Sequence, residues 1–186
     1  MPDTASAQHL ETDPACAVAH GEEPAETAER TLVAVFSSPV AGYLLRYGAD
    51  LGFRPILVEP DAERAAEARR PDPGALKAPA VVAEPPADLD GTADVVVTDH
   101  HREELGPVLR ELLNRKARWI GVMGNPRHFP PHVRALTQLG VPAADIARVH
   151  RPVGLNIGSR TPPEIAIATL AGLIADRNGR PGGFVF

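Results

Sequence analysis

The sequence predicts an α/β protein with a doubly wound, mostly parallel sheet. Short runs of β-branched and aliphatic residues alternate along the chain with segments that have the apolar spacing of amphipathic helices. The apolar runs show no polar alternation, which is typical of strands covered on both faces of a parallel sheet. At 186 residues, the chain fits a single Rossmann-like domain preceded by a tail.

Residues 1–30 are predicted to be a disordered acidic tail, and residues 31–186 the folded domain. The tail holds seven acidic residues and one basic residue, Arg30, without hydrophobic periodicity. Its Cys16 is the one cysteine of the chain and is expected to be an incidental thiol in a reducing compartment. The chain has no basic stripe, no apolar run of ~20 residues and no secretory signal, so we expect a soluble cytoplasmic protein that binds neither nucleic acid nor membranes.

The first half of the domain reads as a β–α–β unit, from which parallel sheets are built. Two apolar runs flank a segment in which apolar residues share one helical face. The predicted elements are strands at 31–36 and 54–59, helices at 40–51 and 61–70, and a possible short strand at 80–83.

The second half continues the alternation of strands and helices. The predicted elements are strands at 94–98 and 119–123, helices at 102–116, 131–139 and 162–178, and a short turn or helix at 143–146. Gly106 and Pro107 are expected to weaken or kink the first turns of the helix at 102–116.

A glycine-bearing loop leads into the last predicted helix and suggests a ligand site. Thr161 can cap this helix, and Glu164 stands three residues later, as a capping box requires. Backbone N–H groups, a hydroxyl and a guanidinium from Gly158, Ser159 and Arg160 would converge at the helix N-terminus, which favours anions. Arg160→Ala is therefore expected to weaken binding of an anion by ~1.5–3 kcal/mol.

The first β–α turn lacks the glycines of a dinucleotide-binding fingerprint. It reads Ser37-Ser38-Pro39-Val40-Ala41-Gly42, where Gly-x-Gly-x-x-Gly would allow close approach of a pyrophosphate. We therefore expect a nucleotide site that is weakened or lost, although Ser37 and Ser38 could cap the helix or hold a phosphate. Glu59 stands near the expected position of a ribose-binding acid, but an acid at a strand end is common.

Polar residues follow the predicted strand at 94–98, where an open parallel sheet lines its ligand crevice. Asp99, His100 and His101 are expected to line this crevice. Adjacent residues project in different directions, so a metal site built on all three is the less favoured interpretation. One of the three could instead cap the next helix.

Gly124 and Asn125 follow the strand at 119–123. A glycine there permits either a tight bend or close approach of a ligand. His128 and His132 are expected to be surface histidines near a helix start, because Pro130 and Pro131 interrupt any continuous helix between them. Residue spacing alone assigns no catalytic set.

Four segments, in the same order, resemble the xanthine dehydrogenase accessory protein family (XdhC/CoxI). Residues 150–166 resemble its signature His-x-Pro-Ile-Gly-Leu-Asp-Ile-Gly-Ala-x-Thr-Pro-Glu-Glu-Ile-Ala, with conservative changes such as Val153 and Asn156. The other resembling segments are an opening βαβ at 32–60, Val-Val-x-Thr-His-Asp-His at 95–101 and Tyr-Ile-Gly-Leu-Ile-Gly-Ser-Arg beginning at 119. Here the Gly-Ser-Arg of that last segment is Gly124-Asn125-Pro126, which lacks the charged residue.

The resemblance implies a Rossmann-like accessory protein, without turnover of its own, that helps to mature a molybdenum hydroxylase such as xanthine or carbon monoxide dehydrogenase. It implies a homodimer, a molybdenum hydroxylase apoenzyme as partner and molybdenum cofactor (molybdopterin) as ligand. Together with the loops above, the expected cofactor-binding residues are Asp99, His100, His101, Gly124, Asn125, Gly154, Asn156, Gly158, Ser159, Arg160, Thr161, Ser37, Ser38 and Glu59.

Three other functions remain open from the sequence. The chain could be an NAD(P)-dependent oxidoreductase in which His100 or His101 donates a proton, or a divergent Rossmann-like binding protein with a weakened nucleotide site. It could also bind a metal through Asp99 and the histidines.

Overall fold

The computed structural model describes residues 14–22, 30–71, 74, 77–125 and 127–183. Its strands are β1 (Arg30–Val35), β2 (Phe53–Val58), β3 (Ala80–Val82), β4 (Asp94–Val97), β5 (Trp119–Val122) and β6 (Val149–His150). Its helices are α1 (Pro14–Ala19), α2 (Pro39–Asp50), α3 (Ala62–Ala68), α4 (Leu105–Leu113), α5 (Pro131–Gln138), α6 (Ala143–Ile146) and α7 (Pro162–Arg177). The predicted Rossmann-like α/β class is confirmed.

The six strands form one parallel sheet in the order β3-β2-β1-β4-β5-β6. The chain moves outward from β1 to β3 on one side and from β4 to β6 on the other. The winding therefore reverses between the central neighbours β1 and β4, where Val35 lies opposite Val97. In open parallel sheets, ligands bind at the carboxyl ends of the strands beside such a reversal.

Helices cover both faces of the sheet, as the uniformly apolar strands predict. Leu32 and Ala34 of β1 pack with α2 and α7 on one face. Val33 and Val35 of the same strand pack with α4 and α5 on the other. All four side chains are fully buried, which places β1 at the centre of the core.

A buried ion-pair network fixes the direction of α7. The Asp94 carboxylate at the start of β4 accepts hydrogen bonds from Arg118 Nε at 2.7 Å and from Arg177 Nε at 3.0 Å. Arg177 is the last residue of α7, so this helix ends at the amino edge of the sheet. Its first turn, which carries the predicted anion-binding loop, consequently points towards the carboxyl edge.

The predicted disordered tail contains a short helix. Residues Pro14–Ala19 form α1, a helix that the sequence analysis did not predict, and the disordered tail as a whole stays a prediction. The segment is rich in alanine and begins with a proline at a position where a helix needs no N–H donor, and both features favour a helix. Most of the remaining tail lies outside the described residues.

The start of α4 and the short strand β6 also differ from the prediction. Helix α4 begins at Leu105 rather than at residue 102, because a helix accepts Pro107 only within its first turn. Arg102 is therefore part of a loop and can turn towards β2. Strand β6 was not predicted, because its two residues are too few to show periodicity.

None of the helices in the described ranges is long and apolar enough to cross a membrane.

Candidate functional site

Hydroxyl groups tie β1 to β4 at the point where the winding reverses. Ser38 Oγ donates to Thr98 Oγ1 at 2.9 Å, and Thr98 Oγ1 donates to the Phe36 carbonyl at 2.9 Å. Ser38 Oγ also accepts the Ala41 N–H at 3.0 Å and so caps α2, one of the two roles the sequence suggested. The Ser38 hydroxyl is thus engaged within the protein.

The first β–α turn begins one residue earlier than the sequence suggested. Phe36 has a φ of +70°, a left-handed conformation that glycine adopts readily and that a bulky residue adopts at a cost. Its side chain is fully buried and lies under the Arg102 guanidinium, 4.8 Å from the ring centroid. Here the turn is stabilised by the burial of an aromatic ring instead of by glycine.

Glu59 lies in the core and is fully hydrogen-bonded. Its carboxylate accepts the backbone N–H groups of Ser37 at 2.7 Å and Asp61 at 3.0 Å. The Arg102 guanidinium donates to both Glu59 oxygens, at 3.0 and 3.2 Å, and also to Glu104. Hydrogen bonding to Glu104 and then to Glu59 raises the pKa of Arg102. Glu59, the residue that the sequence placed near the position of a ribose-binding acid, is therefore fully buried and already paired with Arg102.

A cavity of about 430 Å³ opens at the carboxyl edge between the loops that follow β4, β5 and β6. It is the candidate functional site, and we call it the histidine–arginine cavity. Its described lining residues are His100, His101, Asn125, His128, Phe129, Pro131 and Arg151. Three loops from consecutive strands of the sheet thus contribute one cationic, aromatic-rich lining, and three of its residues were predicted from sequence.

The histidine pair after β4 forms one wall of this cavity. The rings of His100 and His101 lie 4.1 Å apart, and Asp99 Oδ1 holds the turn by accepting the His101 N–H at 2.9 Å. Burial, followed by the charges of His101 and Arg151, lowers the pKa of His100 below the usual 6.5. His100 is therefore neutral at pH 7 and can both donate and accept hydrogen bonds.

Arg151 also lines the cavity and was not identified from the sequence. Its Nη2 donates to the Asn125 carbonyl at 2.7 Å and its Nη1 to the His128 carbonyl at 3.1 Å. Its Nε is buried and has no hydrogen-bond partner among the described residues. Arg151 brings a cation to the segment in which the resembling family pattern has its own arginine.

Gly124 allows Arg151 and His100 to approach each other closely. A Cβ at this position would lie 2.9 Å from Arg151 Nη2 and 3.2 Å from His100 Cε1. Both separations are too short for a carbon side chain unless the neighbours move. Close approach of side chains from two loops thus favours glycine here, whereas the sequence had left open a tight bend or the close approach of a ligand.

His132, on the first turn of α5, lies behind the cavity wall. Its side chain is 4% exposed, so the prediction of a surface histidine was wrong for this residue, whereas His128 is exposed as predicted. The Nδ1 of His132 is buried without a hydrogen-bond partner in the described part of the chain. Burial and then the charge of Arg151 lower its pKa. His132 Nδ1 is thus, after Arg151 Nε, a second buried nitrogen without a described hydrogen-bond partner, and the charge of Arg151 acts on it.

The lowered pKa values predict that acid destabilises the fold. Unfolded histidines titrate near 6.5, so below that pH the unfolded state binds more protons than the folded state. We expect the free energy of unfolding to fall as the pH drops below 6.5 and His132→Asn to reduce this slope, both measured by urea unfolding at several pH values. An identical slope in the variant and the wild type would contradict the role assigned to His132.

From Gly154 onward the loop after β6 packs against α7, whereas Arg151 at its start lines the cavity. Gly154 has a φ of +86°, and a Cβ there would lie 2.9 Å from the backbone of Ala168. The Leu155 N–H donates to the Ala168 carbonyl at 3.0 Å. The close packing between the loop and α7 by itself explains why residue 154 is a glycine. Asn156 is exposed.

The first turn of α7 already contains a carboxylate from its own chain. Glu164 Oε2 accepts the N–H groups of Arg160 at 2.8 Å and Thr161 at 3.1 Å. These two backbone hydrogen bonds lower the pKa of Glu164, so it is charged at neutral pH. The predicted capping box is present, and its carboxylate competes with any external anion for the same donors.

The structure separates the predicted site residues into several groups. His100, His101 and Asn125 line the histidine–arginine cavity, with Gly124 and Asp99 directly behind them. Glu59 is in the core, and the segment from Gly154 to Thr161 contributes none of the described lining residues. Ser37 and Ser38 line a different cavity. Within the described ranges, no group of three His, Cys, Asp or Glu side chains is arranged to hold a metal ion.

The sequence contains only a weak indication that Arg151 belongs to the site. It directly follows a histidine at the start of the glycine-bearing loop, but nothing in the residue order indicates that its side chain turns towards residues 125–128. That contact depends on β6 lying next to β5, and β6 has only two residues.

Comparison with known proteins identifies relatives in sequence and in fold. The XdhC Rossmann domain family matches residues 32–173. The uncharacterised protein YqeB of Escherichia coli (strain K12) is 40% identical over 77 residues, which is 41% of this chain and 14% of YqeB. A crystal structure described as a xanthine dehydrogenase from Bacillus halodurans matches with a TM-score of 0.62 and 23% identity, over 83% of this chain and 44% of that one.

These matches agree with the fold and with the order of the motifs. This chain spans less than half of each of these two relatives. The structural match at 23% identity supports the fold, and the family match covers most of the sheet and its helices. The chain therefore belongs to the XdhC Rossmann domain family.

Proposed function

We propose that this chain is an accessory protein for the maturation of a molybdenum hydroxylase and that it holds molybdopterin, a phosphate-bearing pterin, in the histidine–arginine cavity. Membership of the XdhC Rossmann domain family supports the class of client enzyme. The observation that carries the ligand class is the Arg151 guanidinium, which lines the cavity together with three histidines and no described acidic residue.

The lining suits a phosphate group. A guanidinium matches phosphate geometry and forms charge-assisted hydrogen bonds with it. His100 and His101 also line the cavity, and each imidazole ring can add an N–H donor. The Gly124 position keeps the approach to Arg151 clear of a side chain. These groups provide several hydrogen-bond donors for an anion. None of the described lining residues is acidic, so none of them repels it.

The lining also suits a planar ring system. Phe129 lies at the cavity with 72% of its surface exposed, which is unusual for an aromatic side chain and leaves its face open to a ligand. The cavity volume of about 430 Å³ falls in the range of ~300–1,000 Å³ that is common for small-molecule sites.

The first β–α turn argues against the alternative of a dinucleotide-dependent oxidoreductase. A ribose would need the carboxylate of Glu59, which is fully buried and bonded to Arg102. A pyrophosphate would need close approach to the turn at Ser37-Ser38-Pro39, which lacks the fingerprint glycines. We therefore place the ligand on the β4–β5–β6 half of the sheet.

Arg151→Ala is expected to weaken molybdopterin binding by about 10- to 150-fold, which corresponds to the loss of ~1.5–3 kcal/mol for a charge-assisted contact. Arg151→Lys, which keeps the charge but not the planar fork, should give an intermediate loss. The dissociation constant is measured by anaerobic ultrafiltration, and the retained pterin is quantified by its fluorescence after oxidation.

Arg160→Ala is the matched control, because Arg160 is an exposed arginine of the neighbouring loop and is absent from the described cavity lining. We expect its affinity to stay within about twofold of the wild type, since exposed charges contribute little. A large loss in Arg160→Ala with none in Arg151→Ala would move the ligand to the start of α7 and refute the cavity assignment.

A further inference from the structure

A second cavity, of about 390 Å³, lies between α2, β2 and α3, on the face of the sheet that α2 and α7 cover. We call it the α2–α3 cavity. Its wall on the sheet side is apolar and includes Leu45 of α2 and Leu57 of β2. It shares no described lining residue with the histidine–arginine cavity. Its volume suits a small molecule rather than a few waters.

The rim of the α2–α3 cavity is strongly cationic. Arg46, Arg69, Arg70 and Lys77 line it, and none of its described lining residues is acidic. The chain as a whole has a net charge of −5, so this concentration of positive charge contrasts with the average surface. Four like charges around one cavity repel each other, and an anion placed among them relieves that repulsion.

The protein itself neutralises only part of this charge. Arg70 forms an ion pair with Glu67 at 2.8 Å, on an exposed surface where such pairs are weak. Arg69 Nη2 donates to the neutral Val81 carbonyl at 3.2 Å, and Arg69 forms no ion pair with the described residues. Arg46 and Lys77 take part in no ion pair within the described part of the chain.

We infer that the α2–α3 cavity binds a small organic anion with an apolar body and one phosphate or carboxylate group. The anionic group lies between Arg46 and Lys77, and the apolar body packs against Leu45 and Leu57. Apolar contact supplies affinity and the cations fix the orientation, a combination common in small-molecule sites. This site is independent of the proposed function of the histidine–arginine cavity.

The test uses the full chain and the fluorescent probe 1-anilinonaphthalene-8-sulfonate, which combines an apolar body with one anionic group. We expect saturable binding of one probe molecule per chain. The double variant Arg46→Ala/Lys77→Ala should bind it at least about tenfold more weakly, as the loss of one charge-assisted contact implies. Lys116→Ala/Arg134→Ala removes the same charge from exposed positions outside the cavity lining and should leave binding unchanged.

Competition distinguishes the two kinds of anionic group. Displacement of the probe by adenosine monophosphate supports a phosphate ligand, and displacement by decanoate supports a carboxylate ligand. Displacement by neither overturns the assigned ligand class. The histidine–arginine cavity also suits a planar anion, so the comparison is repeated in an Arg151→Ala background, where Arg46→Ala/Lys77→Ala must still weaken probe binding at least about tenfold. A failure of this inference and a failure of the proposed function then give different results.

An exposed apolar groove between α2 and α7 could also bind the probe, and Ile167 lies in it. Probe binding that survives Arg46→Ala/Lys77→Ala but disappears in Ile167→Glu would overturn the inference. Absence of any saturable binding to the wild type would overturn it as well.

Discussion

Arg102→Ala is expected to lower the free energy of unfolding by about 3 kcal/mol, because it leaves a buried carboxylate without its cation. Glu59 is fully buried, and Arg102 is 11% exposed with hydrogen bonds to both of its oxygens. The backbone N–H groups of Ser37 and Asp61 remain hydrogen-bonded to Glu59 in the variant. We therefore expect a loss near the lower end of the ~3–5 kcal/mol that breaking a buried ion pair costs. Urea unfolding at pH 7 measures the change.

Two comparisons identify the origin of this loss. Arg70→Ala removes an arginine from an exposed ion pair with Glu67 and should cost less than about 1 kcal/mol. In a Glu59→Gln background, Arg102→Ala should cost less than in the wild type, because the remaining partner is no longer charged. A cost for Arg102→Ala as small as that for Arg70→Ala would refute the buried-pair account.

Phe36→Ala is expected to destabilise the protein by about 3–5 kcal/mol, the usual cost of removing a fully buried aromatic ring. Phe36→Gly removes the same ring but adopts the φ of +70° without the strain that alanine retains. We therefore expect the glycine variant to be more stable than the alanine variant by about 1 kcal/mol. The midpoints of urea unfolding provide the comparison.

Val33 provides the matched control for Phe36. It is a fully buried residue of β1, the strand that precedes Phe36, and its φ is not positive. At this position Val33→Gly should be less stable than Val33→Ala, because glycine weakens an ordinary strand by ~0.5–1 kcal/mol relative to alanine. The same order at both positions would mean that the first turn does not favour glycine and that Phe36 holds its left-handed conformation without strain.

Most of the fold could be predicted from local patterns. The strands are recognisable because parallel strands covered on both faces are apolar throughout, and Val33, Val95 and Ile120 lie in the core as expected. The start of α7 was predictable because a capping box is a local sequence pattern. The prediction failed where local signals conflict or are short, as at α1, the first turn of α4 and the two-residue strand β6.

The candidate site was less predictable, because proximity to the carboxyl edge does not specify which way a side chain turns. His100 and Asn125 line the cavity as expected from their positions after strands. Glu59 occupies an equivalent position but turns inward to Arg102. The molybdopterin ligand, the homodimer and the apoenzyme partner stay predictions.

The sequence by itself determined the fold class, the strands and helices of the β–α units and the capped start of the last helix, because each depends on residues within a few positions of one another. The tertiary structure decided the pairing of Glu59 with Arg102 and the approach of Arg151 to Asn125. These partners are 43 and 26 residues apart, so their meeting depends on the order of strands in the sheet, which no local pattern encodes.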